Sequence, residues 1–280
     1  MKKICVTGNN GFIGKALQIE LENQGFEVKG LEKWIFDRVR YQDRLVEYLH
    51  DMKPDVVFHV GACSDTQNFD VNEMMKLNVQ ATSVLMDYCQ SKNIPVIYSS
   101  SASCYGVNGV PNTLYSWSKY LGEEWVSKCG GVSLRYFNVY GEGEYHKGKM
   151  SSIAYQMYMK HINGEETKLF PIECSRDFVY IKDVVSANIH AMNTYEQHKG
   201  GYYDVGTSCS NSFEDVLNIM GIPFTYTSKD DIPNNYQTFT QADERKFLKG
   251  WYSKWSLEEG LSEYKAILQQ YTKKKHSQSL

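Results

Sequence analysis

The chain has 280 residues, a formal net charge of −3, 42% apolar and 14% aromatic residues, and seven cysteines. That length holds one large domain, or one with a smaller lobe, and so small a charge excludes a general pull towards nucleic acid or an anionic membrane. No apolar run approaches the ~20 residues of a membrane span. The start enters a strand directly rather than a signal peptide, and scattered cysteines without a C-x-x-C pair read as reduced, cytosolic thiols, with neither a metal site nor a disulfide framework.

Residues 3–7 read as a short buried strand, followed by Gly8-Asn9-Asn10-Gly11-Phe12-Ile13-Gly14 and a helix to about Gln24. The glycines permit a tight turn and let a pyrophosphate approach the backbone at a helix N-terminus, where free N–H groups and the dipole favour anions. The G-x-x-G-x-x-G spacing differs from the G-x-G-x-x-G of common dehydrogenases. A second strand, 26–31, ends at Glu32, placed to accept from the ribose hydroxyls of NAD. Lys33 beside it suits the ribose phosphate of NADP, so both dinucleotides stay open. Residues 34–37 read as a short third strand whose terminal Asp37 could touch the adenine.

A helix over 43–52 and a fourth strand over 55–60 lead into Gly61-Ala62-Cys63-Ser64. Small residues at a strand end allow close contact with a dinucleotide, and His59 reads as a packed strand residue. The helix over 74–91 carries Asn78 among apolar core positions. The next strand ends in Ser99-Ser100-Ser101, and Tyr115-Ser116-Trp117-Ser118-Lys119 follows on a helix. A lysine four residues beyond a tyrosine stands one turn along on the same face. Its ammonium favours the phenolate, which makes the tyrosine a candidate acid/base. A further strand, 132–137, ends in Asn138-Val139-Tyr140-Gly141. Strands alternating with helices at this spacing predict a parallel sheet covered on both faces, with ligands at the carboxyl ends of the strands.

After Gly141 the alternation breaks. A polar loop over 142–149 precedes a helix over 151–163; the run from Arg176 to Asp183 leads into a helix to about Tyr195; residues 202–206 form one more strand. A mixed helical segment follows from Ser212, and the basic residues 273–276 read as a frayed tail.

The glycine loop, Ser101, Tyr115 with Lys119, and Arg176-Asp177-Phe178-Val179-Tyr180 together resemble the extended short-chain dehydrogenase/reductases, Rossmann-fold enzymes that modify nucleotide sugars. Gly61-Ala62-Cys63-Ser64, the run 135–141, His146-Lys147-Gly148 and the run 236–243 are similar to the ADP-heptose 6-epimerase branch of that family. The resemblance implies a doubly wound α/β fold with an interleaved substrate lobe: 1–138 and about 177–205 for the dinucleotide domain, about 139–176 and 206–272 for the lobe, and 273–280 for the tail. It implies one tightly held NAD or NADP per chain, a nucleotide-diphosphate sugar as substrate, a cytoplasmic homo-oligomer and internal redox, in which a transient ketone is re-reduced on its other face.

By the same resemblance, Ser101 and Tyr115 address the reacting hydroxyl or carbonyl, Lys119 holds the nicotinamide ribose, and Lys147 is a second acid/base. Gly8, Gly11, Phe12, Ile13, Gly14, Glu32, Lys33, Asp37, Gly61, Ala62, Cys63, Asn78 and Ser99 are expected on the cofactor side. Ser64, Asn138, Val139, His146, Lys149, Gln156, Phe170, Arg176 and Tyr236 are expected on the substrate side. An arginine suits a diphosphate because its guanidinium grips it bidentately. The stretch from Ser101 to Tyr115 and the region after the second strand are shorter than the family's pattern. Lys149 and Gln156 replace a serine and a histidine of the heptose epimerases, so the sugar contacts differ. A 4,6-dehydratase needs a carboxylic acid beside the serine, and Ala102-Ser103-Cys104-Tyr105 supplies none. A 4-epimerase, a reductase and a non-catalytic dinucleotide sensor are the other readings.

Overall fold

The computed structural model describes residues 1–35, 40–232 and 236–278. Its first strand, β1 (Lys3–Thr7), shows how the sequence builds the frame. Ile4 and Val6 face one apolar layer while Cys5 faces another, as the two-residue period of a strand requires. Both layers must therefore be covered. On one side lies α1 (Phe12–Asn23), with Leu17 and Leu21 against Ile4 and Val6. On the other is α2 (Tyr41–Met52), with Leu45 and Leu49 in the layer of Cys5.

The remaining strands of this sheet are β2 (Glu27–Leu31), β3 (Val56–His59), β4 (Val96–Ser101), β5 (Val132–Tyr136) and, far downstream, a strand at Tyr202–Val205. All pairings are parallel, in the spatial order β2, β1, β3, β4, β5 and Tyr202–Val205. The chain reverses direction across the sheet between β1 and β3, and ligands of such sheets bind at that switch point. Of the short strand expected over 34–37, residues 34 and 35 belong to a different element. Lys33–Ile35 is a 3₁₀ turn, and residues 36–39 lie outside the described residues.

Between β3 and β4 the helix expected over 74–91 is three pieces: α3 (Val71–Met74), a π-helical segment Met75–Gln80, and α4 (Ala81–Ser91). The wider turn falls at Asn78, and π-bulges are frequent at functional sites. After β4 comes α5 (Leu114–Lys128). Its start is fixed by a capping box: Thr113 Oγ1 accepts from Ser116 N–H, and Ser116 Oγ accepts from Thr113 N–H.

Two smaller sheets follow. In the first, β6 (Asn138–Tyr140) pairs parallel with β8 (Ser175–Tyr180), which pairs antiparallel with β10 (Ser210–Ser212). Between them in the chain lie α6 (Ile153–Ile162) and β7 (Lys168–Leu169). From β8 the chain returns to the large sheet through α7 (Ile181–Asn193), which packs beside α1, and α8 (Tyr195–His198), and enters the strand Tyr202–Val205, here β9. After β10 come α9 (Phe213–Met220) and β11 (Thr225–Tyr226), which pairs with β7.

The last element, α10 (Leu257–Gln278), runs through the positions expected as a frayed tail. Leu257, Leu261, Tyr264 and Leu268 form one buried stripe at helical spacing, and that stripe carries the helix past Lys273. Among the described residues no helix is long and apolar enough to cross a membrane, and no cluster of His, Cys, Asp and Glu could hold a metal ion. All seven cysteines are free thiols.

Candidate active site

The glycine loop closes on itself at the switch point. Gly8 has φ +66°, and its N–H donates to Leu31 O at 2.8 Å. A Cβ on Gly8 would stand 2.7 Å from Gly61 Cα, and one on Gly14 would stand 2.2 Å from Gly8 O. No side chain caps α1, so the N–H groups of its first turn stay open for an anion. This is the cradle a dinucleotide pyrophosphate needs. Glu32 lies at its edge, where one carboxylate oxygen accepts from Asn10 N–H at 2.8 Å. Lys33, exposed, pairs with Glu73 at 2.9 Å. Asp37 lies outside the described residues.

Behind the loop runs a line of buried polar groups. Thr7 Oγ1 accepts from Gly61 N–H at 2.8 Å and meets His59 Nδ1 at 2.9 Å. His59 Nε2 meets Thr82 Oγ1 at 2.9 Å, and Thr82 Oγ1 donates to Asn78 O at 2.7 Å. Burial, with Lys119 second, lowers the His59 pKa to about 3, so the ring is neutral, as its reading as a packed residue requires. Asn78 is committed inside the protein. Its Oδ1 accepts from Cys63 N–H at 2.7 Å, and its Nδ2 donates to Cys63 O at 3.0 Å and to Ser118 Oγ at 2.9 Å. It therefore ties the Gly61-to-Ser64 segment to α5 from behind instead of facing the cleft. Ser99 is likewise turned away, in a buried chain with Tyr136 and Asn188. Ser64 is exposed; Ala62 and Cys63 are half-buried.

Ser101 ends β4, and its Oγ accepts from Ser103 N–H at 3.1 Å, holding the 3₁₀ turn Ala102–Tyr105. The short path to Tyr115 is taken up by a tight turn in which Val107 and Val110 exchange both backbone hydrogen bonds. Gly106 starts it at φ +53°, where a Cβ would stand 1.7 Å from Val110 O. Tyr115, in the first turn of α5, is thereby brought beside Ser101, which acts on its phenol. Burial pushes its phenol up to about 12, against the pull of Ser101.

Lys119 lies inside the protein. It is 2% exposed, and its ammonium lies 4.2 Å from the centroid of the Tyr98 ring. Burial is the largest influence on the Tyr115 phenol, and the lysine stem packs against β4 at Tyr98. Burial lowers the Lys119 pKa to about 8, opposed by Cys104 and Glu123. Beneath them Arg135 grips Glu123 with two hydrogen bonds, at 2.8 and 2.6 Å, and stacks on Tyr105 and Tyr202. Tyr105 donates to Asp204 at 2.6 Å. Sequence reading missed this buried pair, whose members stand on two different elements.

The segments after β5 bring in the rest. Lys147 lies in a turn after β6, with its Nζ 5.3 Å from the Phe12 ring centroid; burial lowers its pKa and Glu144 opposes that. His146 and Lys149 are exposed. The amide of Gln156 donates to Ser151 O at 2.7 Å and Lys149 O at 3.2 Å, so it braces the turn. Arg176 is buried between the rings of Phe213 and Tyr236, at 5.6 and 5.7 Å, and Phe170 meets Tyr236 edge-on at 5.3 Å. Part of the guanidinium fork is already used on Ser175 O and Gln237 O. Asp177 draws this region together: it accepts from Thr207, Ser208 and Ala242. Asn138, exposed, accepts from Thr240 at 3.4 Å, with Val139 half-buried beside it. A cavity of about 1010 Å³ is lined by residues of α1, including Phe12, by α7 and by His146. Ser101, Tyr115 and Lys119 do not line it.

Residues 4–206 match the family model described as the NAD dependent epimerase/dehydratase family. An ADP-L-glycero-D-manno-heptose-6-epimerase of Brachyspira hyodysenteriae is 31% identical over 312 aligned residues, covering 95% of this chain and 98% of its own. The crystal structure of the Helicobacter pylori ADP-L-glycero-D-manno-heptose-6-epimerase superposes with a TM-score of 0.81 at 30% identity, covering 94% of each chain. A UDP-glucose 4-epimerase of Thermotoga maritima, solved with UDP-glucose, has a TM-score of 0.82 at 23% identity, with 96% of this chain and 99% of its own covered. At that identity it shares the fold.

Proposed function

The chain belongs to the NAD-dependent epimerase/dehydratase family, and on that premise we propose that it inverts a carbon of a nucleotide-diphosphate sugar of the ADP-heptose type, most naturally C6 of the heptose. The observation that carries this reading is the meeting of Ser101 and Tyr115 at the end of β4, with Lys119 one turn along and Lys147 reaching the neighbouring glycine loop from the other lobe. NAD, when bound, supplies a hydride acceptor that becomes the donor for the return step. Tyr115 takes the proton of the sugar hydroxyl as the ketone forms, and Ser101 holds the oxygen by a hydrogen bond. The ketone turns, and Lys147 or Tyr115 gives a proton back on the other face. Lys119 positions the ribose hydroxyls of the dinucleotide. Arg176, Phe170 and Tyr236 receive the nucleotide diphosphate, one guanidinium edge on phosphate and the rings beside the base.

A dehydratase is disfavoured because the turn after Ser101 carries no carboxylate, and Glu123 is committed to Arg135. We place the enzyme in the cytoplasm. The outward residues Trp117 and Leu121 of α5, 43% and 38% exposed, support pairing of two copies across that helix.

The test is proton NMR of ADP-L-glycero-D-manno-heptose incubated with the purified protein and no added dinucleotide. A mixture of the two C6 epimers is expected. Tyr115→Phe should lose on the order of 10² to 10⁴ in turnover and retain NAD. Near-normal turnover by that variant sinks the mechanism, and inversion only of UDP-hexoses replaces the substrate assignment.

A further inference from the structure

Glu144 is fully buried, with a relative exposure of 0%, three residues before Lys147. Sequence reading leaves it among the polar residues of a surface loop. In the structure its carboxylate accepts from three separate segments. Gly141 N–H donates to Oε1 at 3.3 Å, from the end of β6. Ser152 donates through its N–H to Oε2 and through its Oγ to Oε1 at 2.7 Å, from the cap of α6. Tyr264 OH donates to Oε1 at 3.0 Å from α10. The backbone of the same residue closes the turn, since Lys147 N–H donates to Glu144 O at 2.9 Å. Glycines at positive φ stand on both sides of the turn, Gly143 at +101° and Gly148 at +55°. Its backbone therefore has little stiffness of its own. What holds it is the carboxylate inside and the Gln156 amide outside.

We propose that Glu144 is the positioning residue of the second acid/base: a buried carboxylate that fastens the Lys147 turn to β6, α6 and the C-terminal helix, and so fixes where the Lys147 ammonium stands over Phe12. This rests on the acid/base reading of Lys147 given above. A buried carboxylate is costly unless fully hydrogen-bonded, and four donors meet that condition here. A surface loop that needed only a polar residue would leave it in water. Placement also brings a charge effect, since Glu144 opposes the lowering of the Lys147 pKa by burial. The other titratable groups packed around this carboxylate are Tyr145 of its own turn, Tyr155 of α6, and Tyr264 and Tyr271 of α10. All are phenols, and Glu144 is the charge that acts on Lys147.

Two variants test it on the full-length, NAD-loaded protein. Glu144→Gln removes the charge, and Tyr264→Phe removes one donor while keeping the ring that packs in the core. Turnover is expected to fall on the order of 10- to 100-fold in Glu144→Gln, and by less in Tyr264→Phe, with KM for the sugar nucleotide and NAD content near wild type in both. NMR titration of ¹³C-methylated lysines, with the Lys147 signal assigned by Lys147→Arg, should show that signal titrating at lower pH in Glu144→Gln. The direction follows because loss of a nearby negative charge disfavours the ammonium. Wild-type turnover in both variants, or an unmoved Lys147 titration in Glu144→Gln, overturns the proposal. Normal epimerisation by Lys147→Met overturns the acid/base reading instead, while the titration still decides what Glu144 does. Should Glu144→Gln not fold, Tyr264→Phe decides: unchanged turnover counts against the clamp and reduced turnover at unchanged KM supports it.

Discussion

Ser101, Tyr115 and Lys119 stand on one strand end and the first two turns of one helix, within nineteen residues of each other, whereas Lys147, Arg176 and Tyr236 stand on three segments spread over ninety residues. The first group is placed by regular structure: the pleat of β4, the capping box at Thr113 and the helical repeat. The second group is placed by two buried carboxylates, Glu144 and Asp177, each collecting donors from distant parts of the chain. Regular elements fix direction locally and at little cost. A hub carboxylate fixes it only while every donor is present, so the two halves of the site should fail in different ways.

The largest contrast is expected at Lys119. Lys119→Met should lower turnover on the order of 10² to 10⁴-fold, yet raise the stability of the cofactor-free protein by about 1–3 kcal/mol at neutral pH. With a folded pKa of about 8 against an unfolded value near ~10.4, the unfolded chain binds more protons between those values. Wild-type stability therefore rises with pH through that window, and the advantage of the variant shrinks there. Urea unfolding at pH 7 and pH 9.5 checks both signs. A variant less stable than wild type at pH 7 would show that the contact with Tyr98 outweighs the cost of burying the charge.

Asp177→Asn should do the reverse, costing about 2–5 kcal/mol because an amide cannot accept four donors. The tryptophan fluorescence midpoint in urea would report it. NAD content at low denaturant should survive, and its loss would blur the distinction between the two halves. Gly106→Ala is a smaller perturbation, about 2–3 kcal/mol from strain at positive φ and the clash with Val110 O. It should lower turnover too, since the turn sets the approach of Tyr115 to Ser101; unchanged kinetics would show that α5 alone places the tyrosine. Thr113→Ala, which removes the helix cap, should cost only about 1 kcal/mol, a shift of a few degrees in thermal unfolding.

The same contrast governs what could be read from the chain alone. The buried strands, the glycine loop and the tyrosine–lysine helix announce themselves through local pattern, and the parallel sheet follows from their alternation. Of the strand expected at 34–37, residues 34 and 35 lie instead in a 3₁₀ turn, where a trimmed connection turns at once. The Lys119 ammonium lies over Tyr98, a position that helical spacing does not give, since spacing fixes a face and not the end of a four-carbon stem. Asn78 and Ser99 are polar residues on core elements. Whether such a side chain faces the cleft or the protein interior depends on partners far along the chain, Ser118 for one and Tyr136 for the other. Glu144 gave no sign among charged neighbours, since what buries it is Tyr264, 120 residues on.

The buried line behind the glycine loop has one further property. Thr82 gives its hydroxyl proton to Asn78 O, so it can only receive from His59 Nε2; the neutral ring, protonated there, must accept at Nδ1 from the Thr7 hydroxyl, whose oxygen receives from Gly61 N–H. Every proton in the row is assigned, and the imidazole has a single allowed tautomer. The row is a polarised, one-way chain from the backbone of the cofactor loop to the π-helical turn at Asn78. It acts as a spacer of set length between β1, β3 and α4, indifferent to pH because its histidine does not ionise until far into acid.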